Sequence, residues 1–572
     1  MSYLKEAKNI GHMLQLSCNQ WKSKTSHLVP NKGNFEPVSF EQLWKIVEQY
    51  AAAIHAMGIQ RGDFICIYSE NSFQWGLIDW ACQTMGVVVV PIYPTLPGDQ
   101  AEFIIKNCGA KHVFCGKDEL IQRIAHVGTA KSLISTLDEA SKSAPLRTAE
   151  WEAQITATET DSLATLIYTS GTTGNPKGVM LTHRTIVDMM NIIRAGVPLD
   201  EKDTFLSFLP MSHVFERVNG HMLPTAIGAT IAYAQSLATI ASDMVKVRPT
   251  IMATVPRFLD AMRGRIMDST EKMKPIQKKL FLAALNQGIA AQNGKATPLR
   301  LILDKLVGDK VRARLGGRFR YFFSGGAALP LQTAEFFGAF NIMILQGFGL
   351  TETASGMCLN RPDDNDYRTI GTPLAPNQMR LAEDGEILIK GPCVMKGYYN
   401  LPEDTAKAID SDGWFYTGDI GVQMPDGKYK ITDRKKDLII LGNGKNVAPQ
   451  LIEEKLKESS LIAEAVLFGD GMEYVCGLIV PDFEKVKAEA VKAGIATSDP
   501  ADLIQLDPVK KMIKAEIDRI NKTLAPFEMV KKHVLLSTQF TIDGGHLTPS
   551  MKVKRRVIKE EFASEIASMM RG

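Results

Sequence analysis

Two short runs limit the folds open to this chain more than anything else in it: "FICIYSE" (Phe64 to Glu70) and "GVVVVPIYP" (Gly86 to Pro94). Neither alternates apolar with polar residues, so each predicts a strand covered on both faces. Ahead of them, "FEQLWKIVEQYAAAIHAMG" (Phe40 to Gly58) carries apolar residues at helical spacing and stops at a glycine. The alternation continues through the first several hundred residues, which predicts parallel sheets clad in helices. From Gly385 to Tyr429 the texture changes. "GEILIKGPCVMKGYYN" and "GKYKITDR" are short strands punctuated by Gly, Pro and Asp-Gly turns, as in a small barrel or meander. "TDRKKDLII" (Thr432 to Ile440) is charged and aperiodic, a domain boundary after which strand and helix patterns resume.

At 572 residues, 45% hydrophobic and 23% charged, the chain is long enough for several globular units. Its net charge of +3 suggests no nucleic-acid partner. The charge is uneven, with 14 Lys/Arg against 4 Asp/Glu between Arg263 and Arg320. That stretch reads as a solvated helical face or, more sharply, as contact with an anionic membrane surface. The eight cysteines form no CxxC pair and have no histidines at metal spacing, which implies a reducing compartment and no zinc frame. The N-terminus lacks the apolar core of a signal peptide and no run is long enough to span a bilayer. The expectation is a cytoplasmic protein, with a peripheral membrane position as the second reading. Oligomeric state stays open, a homodimer included.

The densest chemistry lies in "LIYTSGTTGNPKGVMLTH" (Leu166 to His183). A β-branched run breaks into glycines, hydroxyls and one lysine, between a buried strand and a helix-like segment. Glycines let backbone N–H groups approach a phosphate, Ser170, Thr172 and Thr173 can donate to its oxygens, and Lys177 can neutralise them. The spacing is not that of Walker A. A surface hairpin or linker of Ser, Thr and Gly is the competing reading.

The stretch resembles the signature loop of the AMP-forming, adenylate-forming enzymes, and further segments in the family's order strengthen the likeness. The resemblance assigns Thr169, Ser170, Gly171, Thr172, Thr173, Gly174 and Lys177 to the ATP phosphates. "SGGAALP" (Ser324 to Pro330) resembles the adenine-binding turn, with Gly325, Gly326 and Ala327 lining the base and acyl pocket. In "QGFGLTETA" (Gln346 to Ala354) Gly347, Phe348 and Gly349 would pass the adenine, Thr351 would contact the α-phosphate and Glu352 would bind Mg²⁺. "WFYTGDIG" (Trp414 to Gly421) places Asp419 on the two ribose hydroxyls, which a carboxylate can accept from together.

In "ITDRKKDLIILGNGKNVAP" (Ile431 to Pro449) Arg434 matches the arginine at the ribose-phosphate and Lys436 the hinge. Gly442, Gly444, Lys445 and Asn446 match the loop of the coenzyme A step. "LTPSMKVKRRVI" (Leu547 to Ile558) aligns Lys552 with the family's catalytic lysine, although Ser-Met-Lys stands where Ser-Gly-Lys is common. "FLPMSHVFERV" (Phe208 to Val218) resembles the substrate-side motif of the long-chain acyl-CoA synthetase branch, with His213 at the acyl pocket.

The resemblance implies an α/β fold: a large N-terminal domain of two doubly wound sheets plus a small β-barrel, and a smaller mobile α/β C-terminal domain. The implied divisions are an AMP-binding domain over 1–433, a hinge over 434–437 and a mobile domain over 438–572. The implied reaction converts a long-chain fatty acid, ATP and coenzyme A, with Mg²⁺, into acyl-CoA, AMP and pyrophosphate. Its neighbours are a fatty acyl-AMP ligase and a medium-chain or aryl acid–CoA ligase. Outside the family stand a P-loop NTPase motor, disfavoured by the missing Walker spacing, and an inactive binding protein.

Overall fold

The computed structural model describes residues 6–169, 176–295, 297–492, 499–541, 544–548 and 553–570. Ser170 to Gly174 of the phosphate loop and Lys552 therefore lie outside the described residues.

The two apolar runs form adjacent parallel strands, Phe64–Tyr68 and Val88–Ile92, paired from Phe64↔Val88 to Tyr68↔Ile92. All five residues of the second are buried, and full burial of each valine or isoleucine contributes about 1.5–3 kcal/mol. The helix between them, Phe73–Met85, starts on a Ser72 side-chain cap and ends where Gly86 turns left-handed at φ 70°. The preceding helix, Phe40–Ala56, is fixed at its start by a Ser39–Gln42 capping box.

Among the described residues the strands assemble into two large sheets. One runs in the order Gly397–Tyr398, Lys177–Thr182, Leu163–Thr169, Val88–Ile92, Phe64–Tyr68, His112–Cys115, Ala130–Leu133. The other has a parallel centre, Met343–Leu350, Tyr321–Ser324, Ile251–Thr254, Thr204–Ser207, Thr230–Tyr233, Thr25–Asn31, extended by antiparallel strands at both edges. Where a small barrel or meander was expected, Gln378–Leu381, Glu386–Lys390, Phe415–Gln423 and Tyr429–Arg434 make a four-stranded sheet whose strands lie in chain order.

By compactness the chain divides in two. The first unit takes the chain up to Arg380 with Leu388–Tyr416 and Pro425–Tyr429; the second takes Leu381–Ile387, Thr417–Met424 and the chain from Lys430 on. The second unit's core surrounds a three-stranded sheet, Ile462–Phe468, Val475–Pro481, Val530–Leu535, with Ile452, Leu456, Ile513 and Ile517 among its helical contributors.

Candidate adenylate-forming site

Strand Leu163–Thr169 returns directly as Lys177–Thr182, antiparallel, with Thr169 opposite Lys177. These two strands flank the segment read as a phosphate loop, and the helix expected from His183 starts there, capped by Thr182. The strand Lys177–Thr182 was missed because six residues beginning Lys-Gly carry too little alternation to stand out. Lys177, one-fifth exposed at its side chain, pairs with Asp404 at 3.3 Å and lies 5.3 Å from the centre of the Tyr398 ring.

The turn after strand Tyr321–Ser324 is shaped by its glycines. Gly325 donates to the Thr254 carbonyl at 3.2 Å, and Gly326 takes φ 83°, a conformation that disfavours side chains. A Cβ on Gly325 would touch the Phe215 ring at 3.4 Å. Gly347 and Gly349 have a local cause: a Cβ on Gly349 would sit 1.7 Å from the Ser355 carbonyl oxygen across the strand pair, and one on Gly347 2.8 Å from Leu359. Phe348, between them, is buried.

The strand ends in a short 3₁₀ turn, Thr351–Thr353, followed by Ala354 and Ser355 at φ 52° and 117°. Asn219 ties this strained exit down by donating to Ser355 Oγ at 2.5 Å. Glu352 accepts from the Tyr398 hydroxyl at 2.9 Å, and its carbonyl accepts from the Met395 N–H at 2.8 Å. Burial and the Glu352 charge hold the Tyr398 hydroxyl well above its ordinary pKa, so it stays a donor.

His213 caps the helical turn Val214–Glu216, its Nδ1 accepting from the Phe215 N–H at 3.1 Å. The turn passes into a π-helix, Arg217–Met222, a form frequent at functional sites. In the Phe-Glu-Arg continuation, Glu216 and Arg217 are buried. Arg217 grips Asp79 through Nε at 2.8 Å and through Nη2, and reaches Thr165 Oγ1 at 2.6 Å. Glu216 is also buried, which pushes its carboxyl up to about 8. A Cβ on Gly220 would collide with that carboxyl, so glycine makes its room.

In the second unit, Asp419 is buried in strand Phe415–Gln423 and meets Arg434 Nε at 2.9 Å. The turn before it is held by Gly418 N–H on Glu386 at 2.8 Å. Lys435 pairs with Asp384 and Glu386 at 2.6 and 2.8 Å, while burial pulls the pKa of Lys436 down. Gly442 to Lys445 form the turn between paired strands Ile439–Ile440 and Asn446–Val447, with Gly444 at φ 77°. Residues 442–446 are exposed, and the Lys445 ammonium lies 4.6 Å from the Phe527 ring centre.

Among the described residues no three or more His, Cys, Asp or Glu gather as a metal cluster. A lone Glu352 still fits Mg²⁺, which is commonly held by one or two carboxylates plus substrate phosphates.

The family model described as "AMP-binding enzyme" matches residues 14–399, and that of the "AMP-binding enzyme C-terminal domain" residues 436–572. The chain is 32% identical over 553 residues to the long-chain-fatty-acid–CoA ligase FadD15 of Mycobacterium bovis, covering 91% of this chain and 90% of that protein. It is 32% identical over 591 residues to the human long-chain-fatty-acid–CoA ligase 1, covering 93% and 82%. In fold it is similar to a Mycobacterium tuberculosis fatty acyl CoA synthetase (TM-score 0.65, 24% identity, 97% and 99% covered). It is likewise similar to the Bacillus subtilis O-succinylbenzoate coenzyme A synthetase solved with ATP and a magnesium ion (TM-score 0.72, 21% identity, 96% and 99% covered).

Proposed function

Because this chain belongs to the AMP-binding enzyme family and, within it, to the long-chain-fatty-acid–CoA ligases, we propose that it activates a long-chain fatty acid as acyl-AMP and passes the acyl group to coenzyme A. One observation carries the site assignment. Lys177 and Glu352, far apart in the chain, meet on a single side chain, Tyr398. A cation and a carboxylate brought to one place suit a polyphosphate and its metal.

A carboxylate is a poor acyl donor because oxide would have to leave. Its attack on the α-phosphorus of ATP forms the mixed anhydride and releases pyrophosphate. Negative charge gathers on phosphate oxygens, so positioning and electrostatics supply most of the acceleration. Thr169 to Gly174 and Lys177 hold the departing β- and γ-phosphates. Thr351 and Lys552 meet the α-phosphate, and Glu352 would hold Mg²⁺, which would supply charge neutralisation when bound. Gly325 to Ala327 and Gly347 to Gly349 border the adenine, Asp419 and Arg434 take the ribose, and His213 borders the acyl chain.

The C-terminal domain, from 438 on, then turns about Lys436 in the 434–437 hinge. This withdraws Lys552 and presents Gly442, Gly444, Lys445 and Asn446 for the thiol step. The coenzyme A thiol attacks the acyl carbonyl, AMP leaves, and the thiol proton passes to solvent. Separating the two states keeps water from the anhydride.

The basic helical region supports a membrane-facing role at the same time. Ile276, Leu301 and Ile302 are 73%, 75% and 60% exposed, beside exposed Lys274, Lys279 and Lys305. Apolar side chains among cations match an anionic bilayer, from which a long-chain acid would be drawn. No helix of the described residues is long and apolar enough to cross a membrane.

Acid-dependent AMP production across saturated acids from hexanoate to eicosanoate tests the substrate assignment. Activity concentrated at the long end is expected. A maximum at hexanoate, or AMP formed without any acid requirement, would overturn it.

A further inference from the structure

We propose that Tyr398 is a positioning residue for the first half-reaction, setting the carboxylate of Glu352 against the ammonium of Lys177. Its hydroxyl donates to Glu352 Oε1 at 2.9 Å, while its ring lies 5.3 Å from Lys177 Nζ. The inference rests on the adenylation reading above and deepens it.

Tyr398 is pinned from several sides, as such a role requires. It pairs with Val179 at the edge of the sheet that carries Lys177, and the flanking residues donate to the same strand: Lys396 N–H to the Met180 carbonyl at 3.0 Å, Tyr399 N–H to the Gly178 carbonyl at 2.8 Å. Its own N–H donates to Thr405 Oγ1 at 2.9 Å. Gly397 makes the approach feasible: it sits at φ 143°, and a Cβ there would meet Thr405 Cγ2 at 2.7 Å. On the other side, Met395 N–H holds the Glu352 carbonyl. One short segment, Met395 to Tyr399, therefore clamps the backbone beside both groups, and Tyr398 links their side chains.

Each half of the side chain does a separate job. The hydroxyl occupies one carboxylate oxygen and so restricts the orientation in which the other faces a cation. The ring offers its negative face to Lys177, whose other partner is Asp404 at 3.3 Å. Arriving phosphates compete with Asp404 for Lys177, and the ring keeps the ammonium nearby when that ion pair opens.

The two jobs separate by mutation. In the full-length protein with a non-hydrolysable α,β-methylene ATP analogue, Mn²⁺ affinity is read by electron paramagnetic resonance. Analogue affinity is read by calorimetry at saturating metal. Tyr398→Phe should weaken Mn²⁺ binding about fivefold, change analogue affinity less than twofold and leave the melting temperature unchanged. Tyr398→Leu should weaken both affinities. Glu352→Gln is the reference and should weaken Mn²⁺ at least tenfold. If Glu352→Gln loses the metal while Tyr398→Phe binds it like the parent, the positioning role is overturned and the adenylation reading stands. If both bind Mn²⁺ like the parent, Glu352 is not the metal ligand, and its assignment falls together with the positioning role. A Tyr398→Phe protein with lower melting temperature and equal losses of metal and analogue assigns Tyr398 to structure alone, which also overturns the proposal.

Discussion

Replacing Arg217 by methionine tests whether the buried Arg217–Asp79 pair holds the first unit together. The guanidinium and the Asp79 carboxylate are 2% and 0% exposed. Without Arg217, Asp79 keeps Gln83 at 3.2 Å and His221 at 3.7 Å. In the parent His221 is neutral near neutral pH, because burial, with the Arg217 charge, holds its pKa down to about 4. A buried carboxylate left without its cation costs about 3–5 kcal/mol, more than the intact pair contributes relative to an apolar substitute. With an unfolding entropy near 2 cal/mol/K per residue over roughly 400 residues of the first unit, that is a fall in melting temperature of about 5 °C. Differential scanning calorimetry of Arg217→Met, Asp79→Leu and the double variant measures it. The double variant should recover at least half of the loss, because neither charge is then stranded. Arg217→Met melting within about 1 °C of the parent would refute the reasoning. Thr165 loses its Arg217 contact in the same variant, so pyrophosphate exchange should fall with stability, since Thr165 lies in the strand that leads into the phosphate loop.

Three further outcomes are expected. Glu216, raised from 4.5 to about 8 by burial, is neutral in the fold and ionised when unfolded across that interval. Its contribution is therefore fully present below about pH 4.5 and lost as pH rises toward about 8. Glu216→Gln should flatten that part of a pH–stability profile measured by urea denaturation, and an unchanged slope would count against it. Lys436→Pro should spare acyl-AMP formation and slow thioester formation from supplied acyl-AMP at least tenfold, measured as separate half-reactions; equal loss of both would remove the hinge. Leu301→Asp with Ile302→Asp should reduce co-sedimentation with phosphatidylglycerol vesicles severalfold and leave soluble-substrate turnover unchanged, whereas equal binding to phosphatidylcholine vesicles would contradict an anionic surface.

How much of this could be read in the sequence differs from element to element. The buried strands Phe64–Tyr68 and Val88–Ile92 and the helix Phe40–Ala56 were legible because an unbroken apolar run, and apolar residues at helical spacing closed by a glycine, are local signals. The strand Lys177–Thr182 was not, since its identity comes from pairing with Leu163–Thr169. Gly347 and Gly349 looked like room for a nucleotide; the fold requires them first for close strand packing. Arg217 read as a marker of the long-chain branch, and only the fold reveals its partner Asp79 on a distant helix. Tyr398 carried no signal at all. A tyrosine among Gly-rich short strands gains meaning only when sheet pairing brings it between Lys177 and Glu352.

The path of one oxygen atom tests the adenylation chemistry most directly. With a fatty acid labelled with ¹⁸O in its carboxylate, attack on the α-phosphorus leaves one label on AMP after the thiol step, and mass spectrometry of the products reads it. Adenylation predicts labelled AMP with unlabelled pyrophosphate. Label in inorganic phosphate with ADP as the nucleotide product, or unlabelled AMP, would contradict it.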